Sequence, residues 1–98
     1  MNNIDGSVNI FKALADQTRL KIVVCVFDEE KSVSTISKDV KISQSAVSHQ
    51  LQILKLYDIV KCERRGKEVY YSLSDYHVKN IIEQVFNHTS HSKHEETI

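Results

Sequence analysis

No proline interrupts this chain of 98 residues, and its only glycines are Gly6 and Gly66. Those two residue types break helices and shape tight turns, so a chain poor in both is built mainly of helices, with one glycine turn at Gly66. The length holds one modest hydrophobic core and leaves no room for a second. Residues 1–98 therefore read as a single domain, with loose ends at about 1–6 and 92–98.

Apolar spacing divides the chain further. Val8 to Leu14 reads as a first short helix, and a second, capped by Asp16 or Thr18, carries Leu20, Val23, Val24 and Phe27 on one face. Two serine-led segments follow, Ser34 before Thr35 to Val40 and Ser43 before Gln44 to Leu56, with only Lys41 and Ile42 between them. Two capped helices joined so closely form a helix-turn-helix. Beyond them, Val60 to Arg64 and Val69 to Leu73 are rich in strand formers and flank Arg65, Gly66, Lys67 and Glu68, which predicts a β-hairpin. A last helix is expected from near Asp75 to about Ser90. The fold class is mainly α with a small β-hairpin, a winged helix-turn-helix.

Thirteen basic and thirteen acidic residues cancel, so any nucleic-acid binding must rest on local clusters of charge. Cys25 and Cys62 stand far apart and encode neither a disulfide framework nor a thiolate metal knot, which fits a reducing, cytoplasmic setting. Residues 1–9 have neither a basic start nor an apolar segment, and the longest apolar run, residues 22–27, is too short to span a bilayer; no membrane partner is expected. No HExxH motif and no nucleophile beside a base is present, which argues against an enzyme and against a small organic substrate.

At about 100° per residue, Val47, Leu51 and Leu54 share a narrow sector of the helix after Ser43, while Ser45, Ser48, His49, Gln52 and Lys55 fill a sector away from it. Short hydroxyl and amide side chains let a helix lie deep in a DNA major groove, although the same pattern fits an ordinary solvated face. The hairpin tilts the balance. Arg64, Arg65 and Lys67 crowd its tip, where they can neutralise phosphates, with only Glu63 and Glu68 as near counterweights.

Three of the five histidines belong to the last helix and its end. His77 and His88 are separated by about three turns, roughly 16 Å, which no single metal can bridge. Asp75 with His77 at one end, and His88 with His91 at the other, are each half of a site. Two copies of the helix packed antiparallel about a two-fold axis would complete two sites per dimer. Val78, Ile81, Ile82, Val85 and Phe86 form an apolar stripe suited to that packing, although such a stripe also serves as plain core. The four donors suit tetrahedral Zn(II), with Co(II) as a substitute, and leave no open position for catalysis.

Along nearly its whole length the chain resembles the ArsR/SmtB family of metal-responsive repressors, and within it the zinc and cobalt sensors of the CzrA and SmtB type. The likeness lies in FKALADQTRLKIV (11–23), ISQSAVSHQLQILK (42–55) and the spacing of Asp75, His77, His88 and His91. It implies a homodimer through the terminal helices that binds a palindromic operator when metal-free and releases it on binding metal, derepressing efflux or resistance genes. It also implies that Asp75 and His77 of one subunit join His88 and His91 of the other, and that Gln44, Ser45, Ser48 and His49 contact DNA. The family's arsenic, cadmium and lead sensors carry cysteines before the recognition helix; KSVSTIS (31–37) has none, which argues against thiolate sensing. Cys25 is expected in the core. Two alternatives remain: a nickel sensor whose shell includes His94 and N-terminal groups, and a winged-helix regulator indifferent to metal.

Overall fold

The computed structural model describes residues 3–90. Its elements run α1 (Ile4–Ala15), α2 (Gln17–Cys25), β1 (Lys31–Ser32), α3 (Val33–Val40), α4 (Gln44–Leu56), β2 (Val60–Arg65), β3 (Glu68–Leu73) and α5 (Tyr76–Ser90). Local side-chain chemistry explains most of these boundaries. Helix α1 starts earlier than its apolar spacing suggests, inside the stretch 1–6 expected to be loose, because Asn3 caps it: the Asn3 Oδ1 accepts the Gly6 N–H at 2.8 Å. Asp16 both ends α1 and caps α2, its carboxylate accepting the Arg19 N–H at 3.0 Å. Of the two caps the sequence allows for α2, the chain uses Asp16.

The cap of α3 is Ser32, where the sequence suggests Ser34; its Oγ accepts the Thr35 N–H at 3.2 Å. Ser32 is available because β1 holds it extended opposite Tyr70, and Ser34 then falls inside the first turn. Helix α3 stops at Lys41, whose left-handed φ of 62° lets its N–H return to the Ser37 carbonyl at 2.8 Å. Two residues later Ser43 caps α4, accepting the Ala46 N–H at 3.1 Å, as its position predicts.

The hairpin is tighter than expected. Arg65 and Glu68 pair at its end, so Gly66 and Lys67 alone form the loop. Gly66 takes a φ of 62°, the first-position requirement of a two-residue type II′ turn. A third strand, β1, adds to the far side of β3 and gives an antiparallel sheet of order β1-β3-β2. At two residues it is too short to show an alternating pattern.

The core joins Ile22 and Val23 of α2, Ile36 of α3, Val47, Leu51 and Leu54 of α4, and Ile59, all with no exposed surface. The outer helices attach more thinly, α1 burying Ala13 and α5 burying Ile82. Cys25, expected in the core, is only half-buried: it ends α2, and its thiol donates to Asp39 of α3 at 3.4 Å. Among the described residues no helix is long and apolar enough to cross a membrane. Leu51→Ala is expected to lower stability by about 2–5 kcal/mol through the cavity it leaves, whereas Gln52→Ala, one residue on but exposed, changes it by less than about 0.5 kcal/mol. Urea denaturation of both variants measures the contrast.

Candidate functional site

Burial of Val47, Leu51 and Leu54 sets which side of α4 faces outward. On the side away from these three, Ser45, His49 and Gln52 are exposed and Ser48 is half-buried, and Gln44 is exposed where the helix begins. The side chains there are polar hydroxyls, amides and one imidazole, which offer both donors and acceptors. Such a surface can approach base edges closely.

On the wing, the three cations separate into two kinds. Arg64 and Lys67 are exposed and form no ion pair among the described residues. Arg65 is engaged: its guanidinium pairs with Glu30, lies 3.6 Å from Glu63, and stacks over the Tyr70 ring at 4.3 Å. The hydrogen bond to Glu30 is the main cause that holds Arg65 further toward its charged form. Glu30 lies in the turn between α2 and β1, so Arg65 braces the wing against that turn and is less able to reach outward than its neighbours. Glu30 is too distant in sequence for local charge counting to have found it.

Arg19 also escaped the motif reading. Half-buried, it donates from Nε to the Ala13 carbonyl at 2.8 Å and from Nη1 to Gln50 Oε1 on α4 at 3.0 Å. Little in the sequence marks it, since Arg19 stands in the first turn of α2 among Gln17, Thr18 and Lys21, and Gln50 is brought to it only by the fold.

Of the candidate metal ligands, Asp75 and His77 fall at the start of α5 and His88 near its other described end. Asp75 Oδ1 accepts the Val78 N–H at 3.1 Å, which caps the helix, and lies 3.7 Å from His77 Nδ1. The His77 side chain is 94% exposed. The same Oδ1 thus caps the helix and faces an open imidazole, with the other carboxylate oxygen left over. His88 is exposed on the last turn, while His91 and His94 lie outside the described residues. Among the described residues no three His, Cys, Asp or Glu side chains converge. The structure therefore brings Asp75 and His77 together and keeps His88 at the opposite end of the helix.

Between these ends the stripe on α5 is only partly covered. Ile82 is buried and Val78 half-buried, whereas Ile81, Val85 and Phe86 are exposed, as are Ile4, Val8 and Phe11 on α1. Phe11, Ile81, Val85 and Phe86 line a single hollow between these helices. An apolar patch of this kind on a small domain marks a contact surface.

Residues 16–61 match the family described as bacterial regulatory protein, arsR family. Over 82 residues the chain is 44% identical to a transcriptional repressor SmtB homolog of Synechocystis, covering 84% of this chain and 62% of that protein. A cadmium resistance transcriptional regulatory protein CadC homolog of Staphylococcus aureus is 42% identical over 80 residues, covering 81% of this chain and 66% of that protein. The chain thus spans less than two thirds of either relative. The solution structure of a homodimeric winged helix-turn-helix DNA-binding domain from Mycobacterium bovis superimposes with a TM-score of 0.86 at 26% identity, over 97% of this chain and 86% of that one.

Neither thiol joins the donor pair at Asp75. Burial raises the Cys25 pKa above its usual value, and the hydrogen bond to Asp39 adds to the shift. Asp39→Asn is expected to lower the Cys25 pKa and to speed its alkylation by iodoacetamide at fixed pH. An unchanged rate profile across pH 7 to 10 would show that Asp39 has no hold on the thiol.

Proposed function

The chain belongs to the ArsR family of bacterial regulatory proteins, and we propose that it is a cytoplasmic, DNA-binding transcriptional repressor that releases its operator on binding Zn(II) or Co(II). Relatives named as repressors and regulators support a regulatory role over an enzymatic one. The operator is a palindromic duplex, read by one α4 from each protomer of a homodimer. Ser45, Ser48, His49 and Gln52 approach base edges and phosphates, with Gln44 at the start of the helix. Arg64 and Lys67 supply phosphate contacts from the wing, and Arg65 holds the wing in place.

One observation carries the metal response: the donors of α5 stand at its two ends, beside an apolar stripe that the protomer leaves open. Covering Ile81, Val85 and Phe86, with Ile4, Val8 and Phe11 of α1, against a two-fold copy buries the patch and sets the start of one α5 beside the finish of the other. Asp75 and His77 would then hold a metal with His88 and His91 of the partner subunit. Three imidazoles and a carboxylate suit a closed tetrahedral site, and the bound ion would supply a cross-link between the two helices.

A link from this end of α5 to the recognition helix is built in. Ser74, adjacent to Asp75, donates its N–H to the Ile59 carbonyl at 3.0 Å and its hydroxyl to the Asp58 carbonyl, in the segment that leaves α4. A fixed spacing of the two α5 helices therefore constrains both α4 helices, and the operator no longer fits. By linkage, DNA weakens metal binding by the same factor that metal weakens DNA binding. The genes released are those of metal efflux or resistance.

Titrating zinc into a protein–operator complex is expected to release the DNA, and unchanged operator affinity at saturating zinc would overturn the reading. His88→Ala is expected to abolish release and lower zinc stoichiometry while leaving metal-free operator binding intact, measured by calorimetry and fluorescence anisotropy. Arg64→Ala and Lys67→Ala should each weaken binding to any duplex and reduce the salt slope by about 1, and Arg65→Ala should change that slope less.

A further inference from the structure

We propose that Arg19 is a positioning residue: it sets the rotation of α4 about its own axis and so governs discrimination between DNA sequences. The inference rests on the DNA-binding reading above and adds to it a residue that touches no DNA. Arg19 is fixed on the side of α1 and α2, with its N–H on Asp16 at 3.0 Å and its Nε on the Ala13 carbonyl at 2.8 Å. The Ala13 carbonyl belongs to the last turn of α1, where a cation also meets the negative end of the helix dipole. From this anchored position Nη1 reaches Gln50 Oε1 at 3.0 Å.

Gln50 flanks the inner sector of α4. The contacts of that sector, Val47, Leu51 and Leu54, are aliphatic and non-directional, so they decide which side is inside but define the angle only loosely. A hydrogen bond to an anchored guanidinium is directional. The difference matters at the outer face. A rotation of about 20° moves a side-chain tip at a radius of 5 to 6 Å through about 2 Å, more than a base hydrogen bond tolerates. The wing cations Arg64 and Lys67 are not on α4 and do not move with it. Loss of the Arg19–Gln50 bond therefore removes sequence readout and leaves phosphate attraction in place. Because Ala13 sits on the helix that carries Ile4, Val8 and Phe11, the same bond ties the angle of α4 to the proposed dimer contact.

The test uses a duplex recovered from a random pool by selection on the full chain, and a scrambled duplex of equal length and composition. Wild type, Arg19→Lys, Gln50→Ala and the double variant are titrated with both. Arg19→Lys keeps the charge but loses the two-way fork. Each single variant is expected to lose about ten-fold in affinity for the selected duplex, with affinity for the scrambled duplex and the salt slope essentially unchanged. The double variant should be no worse than either single one. Equal losses on both duplexes, additive losses, or a Gln50→Ala variant that discriminates like wild type would overturn the proposal. Gln50→Ala keeps the test decisive should Arg19→Lys fail to fold. If wild type selects no duplex, the DNA reading falls, and amide shifts of the free protein decide for Arg19. Gln50→Ala must shift residues 44–52 as a group, and shifts confined to its immediate neighbours would overturn the positioning role.

Discussion

Val47, Leu51 and Leu54 are sealed against Ile22, Val23, Ile36 and Ile59, and the rest of the molecule is arranged around that contact. It assigns one side of α4 to the interior, and the opposite side, with no packing duty, can carry small polar groups at little cost in stability. The short turn at Lys41 and Ile42 and the cap at Ser43 fix where α4 begins. The strands after it place the wing at its flank. A binding face here is what remains once the core has claimed its share of the helix.

Electrostatics act at short range in a chain whose formal charge is zero. Arg65, tied to Glu30 and laid over Tyr70, gives the wing its stance, and the two cations beside it face solvent. The same division of labour holds at α5. One oxygen of Asp75 starts the helix, which leaves the carboxylate oriented, and His77 stands beside it in the open. In both places a side chain used for structure stands beside one left open to solvent.

What could be read from the residues follows from how far each signal travels along the chain. Ser43, the turn before it, the placing of the hairpin around Gly66 and the start of α5 all rest on neighbours within a few positions, and they stand close to where the pattern puts them. The cap at Ser32 was missed because it depends on β1, a strand that exists only through its pairing with β3. The start of α1 was missed because Gly6, a poor helix former, masks the cap at Asn3. Glu30 with Arg65, and Arg19 with Gln50, are partners across the fold that no window along the chain contains. At the candidate metal site, the spacing of Asp75 and His77 was enough to bring them together. His88 stands at the far end of the helix, and among the described residues no third donor joins Asp75 and His77.

Helices α1 and α5 bury only Ala13 and Ile82 outright, with Ile10, Leu14 and Val78 packed at the edge of the core, while Ile4, Val8, Phe11, Ile81, Val85 and Phe86 face outward. In the dimer proposed above, a second copy on the open patch would add to their hold on the fold. Copy number would then become an input in its own right. On that proposal, the outer helices would be the first parts to open when the protein is scarce, and its lifetime would shorten along with its abundance.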